Sequence, residues 1–349
     1  MKKILFASNI FTPHQNELNK ELNKHCSAIF YFYDTPDKTR GAFWNVTKAK
    51  DVIISKKIYG AEKLFELQSV IRNFRPDHVV LGGFYSYVNF LIYLICKSKR
   101  INVSVVTERL RDKDGKLIEK GLHIFIIKYL YSGLKNIFVT EEDTLEQFKC
   151  FNLPTNVDVL RYCTYLEFDK QKYGRKKKSI LFANRLTEIY NPRYAIEVFK
   201  KIVQLDNEYV MYMNNSGELK DVIVEKIREY KLEDNITFLD DIKCWNDVTM
   251  LYTKLEYLFL PATFSNSNFS IIEAMASRMK IIISDNILGV GAYINNMENG
   301  YKIPLDNLDE YVNAFMAFKL EVKDWENKNE EIASIYNKES VANQWLLKL

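Results

Sequence analysis

Apolar residues along this chain fall into two alternating arrangements, short unbroken runs and longer stretches in which they recur every third or fourth position. The runs Lys3–Ala7, Ala28–Tyr33, Val79–Leu81, Val103–Thr107, Asn136–Val139 and Val157–Leu160 predict strands. Helical spacing lies between most of them, at Gln15–Lys24, Ala61–Phe74, Tyr85–Cys96, Leu122–Tyr131 and Thr144–Phe148. Repeated β-α-β connectivity predicts a mostly parallel sheet with helices on both faces. The polar, strongly basic run DKQKYGRKKK (Asp169–Lys178) interrupts the pattern and reads as a linker. A second series of the same kind then opens with a strand at Ser179–Phe182. It continues through helix Arg193–Val203, strand Tyr209–Met213, helix Leu219–Tyr230, strand Ile236–Leu239, helix Asn246–Thr253, strand Tyr257–Leu260, helix Ile271–Ser277, strand Lys280–Ser284 and helix Leu308–Phe318. The expected architecture is α/β: two doubly wound domains over residues 1–168 and 179–325, a linker at 169–178, and a helical segment at 326–349 that packs back on the first domain.

One stretch competes with this reading. Between Asp77 and Lys97 lie 19 uncharged residues, HVVLGGFYSYVNFLIYLIC, close to the length that spans a bilayer. Gly82, Gly83, Ser86 and Asn89 break it into a buried strand, a turn and a helix. The N-terminal MKKILFASNIF is too short in apolar residues for a signal peptide and reads as the first strand.

Composition supports two full cores, with 349 residues, 47% apolar and 27% charged. Charge is uneven. Residues 1–165 carry 25 Lys and Arg against 17 Asp and Glu, the rest 24 against 28. A basic half suits an anionic partner such as a phosphate or an acidic membrane surface, or is an ordinary solvated face. Basic and aromatic residues are not interleaved in a way that argues for nucleic acid. Five scattered cysteines (Cys26, Cys96, Cys150, Cys163, Cys244) indicate neither a disulfide framework nor a zinc site, and suit the reducing cytoplasm. The four histidines lack metal-ligand spacing, so no metal is expected.

Candidate chemistry concentrates in the loop PATFSNSN after Leu260. It leaves a strand end and enters a helix whose first turn offers unpaired N–H groups to an anionic or hydroxyl-rich ligand. Asn266, Ser267, Asn268 and Ser270 fit that role, or simple helix capping. Glu273 stands among Ile271, Ile272, Ala274 and Met275. Either it is a partly buried carboxylate awaiting hydroxyl donors, such as those of a ribose, or it lies on a solvated helix stripe.

The segment from Ser179 to about Phe318 resembles the donor-binding domain of the retaining glycosyltransferases of family 4, which have the GT-B fold. Four blocks carry the likeness in order: ILFANRLTEIYNPRYAIEVF, LEDNITFLDDI, YLFLPATFSNSNFSIIEAMASRMKIIISD and NNMENGYKIPLDN. The first domain is similar more weakly to surface-polysaccharide assembly members, through ASNIFTPHQNEL, VVTERLRDKDG and NIFVTEED.

The resemblance implies two Rossmann-like domains facing across a cleft, the first on the acceptor side and the second binding the nucleotide sugar. It places the ribose-binding glutamate on Glu273 and the diphosphate-binding arginine on Arg185, where the competing reading is a surface salt bridge. Tyr190 stands where the family has a lysine for the diphosphate, a loss that a Lys or Arg of the other domain, or Asn191, would have to compensate. Ser265 stands where it has a first acidic residue near the donor sugar. Asn268, Phe269 and Ser270 complete the donor-side set. In the first domain His14, within PHQ, is either an aid to proton transfer or phosphate binding, or a helix-terminal residue with a local hydrogen bond. Glu108 and Arg109 follow a strand and either contact substrate or pair internally.

Aromatic-rich helices at Tyr85–Cys96 and Leu122–Tyr131 beside Lys97, Lys99, Arg100, Lys120, Lys128 and Lys135 suit peripheral contact with anionic lipid or ordinary packing. The expected activity is metal-independent retaining transfer of a sugar from a nucleotide diphosphate donor, expected to be UDP-linked, to a surface polysaccharide such as capsule or O-antigen, or to a lipid-linked glycan. It requires no cofactor, and the nucleotide sugar is a substrate. The site is the cytoplasm or the inner face of its membrane. The rivals are a catalytically silent GT-B protein that binds glycan or a partner, and a sugar-nucleotide epimerase.

Overall fold

The computed structural model describes residues 1–34, 46–55, 58–84, 86–110, 122–164, 175–240, 242, 245–265, 268–321 and 323–349. Its first half runs β1 (Lys3–Ile10), α1 (Pro13–Leu22), β2 (Ser27–Asp34), β3 (Val52–Ile54), α2 (Gly60–Phe74), β4 (His78–Gly82), α3 (Tyr87–Ser98), β5 (Asn102–Thr107), α4 (Leu122–Ser132), β6 (Asn136–Val139), α5 (Glu142–Cys150) and β7 (Asn156–Val159). These strands form one parallel sheet in the order β3-β2-β1-β4-β5-β6-β7. β1 is apolar on both faces because it is central. Leu5 and Ala7 join the core under α2, α3 and α5, and Ile4 and Phe6 join the opposite core with Leu18 and Leu22 of α1.

The second half runs β8 (Lys176–Phe182), a 3-10 turn (Glu188–Tyr190), α6 (Pro192–Leu205), β9 (Val210–Met213), α7 (Lys220–Glu229), β10 (Ile236–Phe238), α8 (Trp245–Lys254), β11 (Leu255–Leu260), α9 (Phe269–Ala276), β12 (Lys280–Ser284), a 3-10 turn (Gly289–Tyr293), β13 (Tyr301–Ile303), α10 (Leu308–Met316), α11 (Trp325–Ser334) and α12 (Lys338–Lys348). Its strands pair in parallel in the order β10-β9-β8-β11-β12-β13. Both sheets therefore start in the middle, wind outward, and restart on the other side of their first strand. The crevices at which strand order reverses lie between β1 and β4 and between β8 and β11, where doubly wound sheets bind ligands.

Two compact units result. One joins Val46–Tyr165 and the N-terminal segment to Lys338–Leu349, and the other spans Leu166–Asn337. The basic run read as a linker is partly strand, since β8 begins at Lys176; residues 169–174 lie outside the described residues. Two of the three lysines that open this central strand have their charge met within the unit. Lys178 Nζ pairs with Asp206 at 2.7 Å and Glu208 at 2.5 Å, and Lys176 Nζ lies 5.1 Å from the Tyr212 ring. Lys178 also takes a left-handed φ of 55° where the β8–β11 register slips.

The segment expected at 326–349 divides between the units. α11 packs on α9 in the second unit, with Ala333 buried beside Met275 in one core. α12 packs on α1 in the first unit, where Trp345 is fully buried against Phe6 at 5.7 Å and its indole N–H donates to the Arg161 carbonyl at 3.0 Å. The apolar stretch at 78–96 is a strand followed by a helix, as its glycines predict, and Tyr85 lies outside the described residues. Among the described residues no helix is long and apolar enough to cross a membrane.

Candidate functional site

In the second unit, the segments after β8 and β11 meet at the strand-order crevice. The Thr263 N–H donates to the Ile189 carbonyl at 2.8 Å and its hydroxyl to the same oxygen at 3.1 Å. That brings Arg185, Tyr190 and Asn191 into one end of the sheet with Ser265, Asn268, Phe269, Ser270 and Glu273.

The β8 segment is anchored on its far side as well. Leu186 N–H donates to the Ser216 carbonyl at 2.7 Å, and Leu219 N–H returns a bond to the Leu186 carbonyl at 2.9 Å. Asn214 fixes the neighbouring turn, donating to the Ala183 carbonyl and accepting from the N–H and hydroxyl of Ser216. Gly217, at φ +136°, crosses directly over Leu186. Arg185 is thus a half-buried side chain on a backbone pinned from both sides. The side-chain oxygen Oδ1 of its neighbour Asn184 is buried without a hydrogen-bond partner among the described residues.

Tyr190 packs its ring against both cores of the unit, and Asn191 takes a left-handed φ of 54° immediately before Pro192 starts α6. Ser265 is buried and makes a parallel bridge to Ile287, its carbonyl accepting from Leu288 N–H at 2.9 Å. Asn268 caps α9, its side chain accepting from Ser270 N–H at 3.0 Å, and half-buried Phe269 is the first helical residue. Asn266 and Ser267 lie outside the described residues.

Glu273 lies on the inner face of α9. It is 2% exposed, between buried Ile272 and Ala274, so the solvated-stripe reading does not hold. Side chains on a helix lean toward its N-terminus, which sets Glu273 over Ser270 one turn earlier. The Tyr252 hydroxyl, buried at the end of α8, lies against both Glu273 and Ser270. Burial pushes the Glu273 pKa up to about 8, and hydrogen bonding from Tyr252 offsets only part of that. Its Oε1 is buried with no partner among the described residues. A buried carboxylate with an open lone pair is costly as it stands, and ready to accept hydroxyl donors from a ligand.

Sequence reasoning missed Tyr252 and Asn184. Tyr252 stands 21 positions before Glu273 on another helix, and nothing in local periodicity couples them. Asn184 adjoins Arg185 and could have been found as the other polar residue at the end of β8.

In the first unit His14, Glu108 and Arg109 lie beyond the carboxyl ends of β1 and β5. His14 is the second residue of α1, behind Pro13 and capped by Thr12, whose hydroxyl accepts from Gln15 N–H at 3.1 Å. Burial pulls its pKa down to about 4, which keeps the imidazole neutral at physiological pH, a hydrogen-bonding group and not a cation. Arg109 Nη2 pairs with Asp143 Oδ2 of α5 at 3.2 Å, and Gln147 of the same helix clamps Leu110 through N–H and carbonyl bonds of 2.9 Å. Glu108 is exposed, its carbonyl accepting from the Thr107 hydroxyl. Among the described residues no cluster of His, Cys, Asp or Glu could hold a metal ion.

A family model described as glycosyl transferases group 1 matches residues 166–340. The poly(ribitol-phosphate) alpha-N-acetylglucosaminyltransferase of Staphylococcus aureus (strain COL) is 24% identical over 351 aligned positions, which cover 95% of this chain and 68% of that protein. The UDP-Gal:alpha-D-GlcNAc-diphosphoundecaprenol alpha-1,3-galactosyltransferase of Escherichia coli is 25% identical over 224 positions, covering 60% of this chain and 56% of that protein. Among solved structures, the pneumococcal O-GlcNAc transferase GtfA in complex with UDP and GlcNAc superposes with a TM-score of 0.75 at 12% identity, over 99% of this chain and 98% of the other. That likeness, with two doubly wound parallel sheets, shows the GT-B fold.

Proposed function

The chain belongs to the glycosyl transferases group 1 family, and on that premise we propose that it is a retaining transferase of family 4 that moves a sugar from a UDP-linked donor to a polysaccharide or lipid-linked glycan. Glu273 carries the reading. A 2%-exposed carboxylate with one oxygen open, at the strand-order crevice of the second unit, matches the two hydroxyl donors of a ribose. In this reading Arg185 and the positive end of the α9 dipole face the diphosphate, and Asn268 and Ser270 shape the helix end. A relative named for UDP-Gal and a structurally similar protein holding UDP favour uridine as the base.

Ser265 supplies no carboxylate beside the donor sugar, so the mechanism proposed is front-face: the leaving phosphate takes the acceptor proton, without a covalent intermediate. Neutral His14 acts as a hydrogen-bond partner to the acceptor or phosphate in this scheme. The absence of a cation at Tyr190, whose ring is committed to packing, favours one second reading, a protein that binds the nucleotide and does not transfer. Turnover of UDP-sugars with and without acceptor separates the two.

The test of the ribose assignment is a proton count. Glu273 is protonated in the free protein below its pKa of about 8, and hydroxyl donors favour the carboxylate. At pH 7 a UDP-sugar, whose phosphates do not titrate nearby, is expected to release about one proton on binding, and affinity to rise as pH rises toward 8. Calorimetry in buffers of different ionisation enthalpy measures this. Binding with no proton release would remove Glu273 from the nucleotide site.

Localisation at a membrane face is a further part of the proposal. Tyr87, Phe90 and Leu94 are exposed along one stripe of α3, which ends in Lys97 and Lys99. Co-sedimentation with vesicles containing phosphatidylglycerol is expected to fall several-fold in Phe90→Asp/Leu94→Asp and with added salt, and unchanged sedimentation would contradict it.

A further inference from the structure

The last turn of α8 is held from two directions. In a continuing helix the Tyr252 carbonyl would accept from Glu256 N–H, but β11 has begun by then and that group donates to Ser179 Oγ at 3.0 Å. Arg175 takes its place, its Nη1 donating to the Tyr252 carbonyl at 3.0 Å and to the Leu255 carbonyl at 2.5 Å. The tyrosine ring, 1% exposed, lies in the core it shares with Ile271, Ile272 and Met275 of α9. With backbone and ring both fixed, the hydroxyl has little freedom in where it points.

It meets two side chains on one face of α9, Ser270 in the first turn and Glu273 three positions on. A phenol has a single proton to give. When Glu273 is ionised that proton goes to the carboxylate, the stronger acceptor, so the Ser270 hydroxyl must donate to the phenol oxygen. Ser270 N–H is taken separately, by the Asn268 side chain at 3.0 Å. The run Ser270–Tyr252–Glu273 therefore has a fixed direction and ends on one carboxylate oxygen. The other, Oε1, is buried with no partner among the described residues. The remaining neighbours of α9 leave the carboxyl alone. α11 sets Glu330 against Arg278 at 2.6 Å, β12 sets Lys280 against Glu256 at 2.6 Å, and the turn at Gly289–Tyr293 sets the Tyr293 ring against Tyr336 at 6.4 Å. Of the ionisable side chains on these elements, Tyr252 is the one that acts on Glu273.

We propose that Tyr252 is a positioning residue for the nucleotide sugar: the Ser270–Tyr252 pair grips one oxygen of the Glu273 carboxylate and presents the other to the ribose hydroxyls. This deepens the donor-site reading and rests on it, since Tyr252 acts through Glu273. The pair favours the ionised carboxylate over the protonated one, and the ionised form is the one that accepts from a ligand.

Calorimetric titration with UDP-glucose and with UDP-N-acetylglucosamine, from about pH 6.5 to about pH 9, tests it on wild type, Tyr252→Phe and Ser270→Ala. Phenylalanine keeps the ring in the core and removes the donor, so the Glu273 carboxyl stays protonated to higher pH. Below the wild-type pKa of about 8 the ligand must then expel a proton held more firmly, and above the variant's own pKa that handicap is gone. Affinity of Tyr252→Phe is expected to be about tenfold weaker than wild type at about pH 7 and to converge on it at the alkaline end, with proton release persisting about one pH unit further up. Ser270→Ala shifts the same profile less. It spares the cap, which uses the Ser270 N–H, and so decides the matter should the phenylalanine variant not fold. Profiles that superpose on wild type, or a deficit of the same size at every pH, as a packing defect would give, overturn the proposal. Wild type that binds without releasing a proton overturns the ribose assignment itself, and the role of Tyr252 with it. The first failure leaves the donor-site reading standing and the second does not, so the two are distinct.

Discussion

Glu273→Gln is expected to lower affinity for a nucleotide sugar by at least about a hundredfold, while leaving the free protein as stable as wild type near pH 5 and more stable above pH 8. Two hydrogen bonds to a charged acceptor contribute roughly 1.5–3 kcal/mol each, and every 1.4 kcal/mol is about tenfold in affinity. Glutamine keeps the shape and loses the charge. The stability half follows from the direction of the pKa shift. A carboxyl whose pKa is raised in the folded state to about 8 stabilises folding relative to its ionised form only while protonated, so its contribution is lost as pH climbs from its ordinary value of 4.5 to about 8. The glutamine variant has no such slope. Thermal unfolding across pH, with calorimetric titration of a UDP-sugar, reads both. A variant that is less stable at every pH and binds donor normally would make Glu273 a packing residue.

Gly217→Ala is expected to destabilise the second unit by roughly 2–4 kcal/mol and to raise the donor KM. Two costs add. At φ +136° an L side chain is strained, and its Cβ would stand 2.3 Å from the Leu186 carbonyl oxygen and 2.7 Å from its nitrogen, both backbone atoms. Relief requires moving Leu186, and Arg185 moves with it. Gly60→Ala is the control, since φ there is +59° and none of the described residues lies within 4 Å of the added carbon. Its cost should stay near 1 kcal/mol, the conformational part alone, with the donor KM untouched. Urea unfolding and steady-state kinetics on the pair measure it. Equal behaviour of the two variants would show that the contact over Leu186 does not position the loop.

The sheets were readable in the sequence because period and length are local properties. Central strands such as Leu255–Leu260 and Lys280–Ser284 carry unbroken apolar runs, Tyr257–Leu260 and Ile281–Ile283, and their helices carry the 3.6-residue pattern. What escaped depended on partners distant in sequence. β3 and β13 are three residues each, too short to stand out, and exist because β2 and β12 offer an edge. Lys176 and Lys178 at the start of β8 read as linker because Asp206, Glu208 and Tyr212, which meet their charges, lie about thirty positions on. The same limit applies to the site. Glu273 was visible as a carboxylate among apolar residues, but its burial, and therefore its raised pKa, comes from the core around α9, and Tyr252, which offsets part of that rise by hydrogen bonding, lies on another helix. Arg109 was legible as a residue beyond a strand, while its ion-pair partner Asp143 waits on another helix.

Trp345 fills a hole made by Phe6 and Tyr162, although residues 166–337 belong to the other unit. A ribosome that has delivered the whole of the first sheet has therefore not yet delivered its last wedge. The earlier-made unit must wait, with one apolar face uncovered, until the later-made one has emerged, so order of synthesis and order of completion run opposite ways.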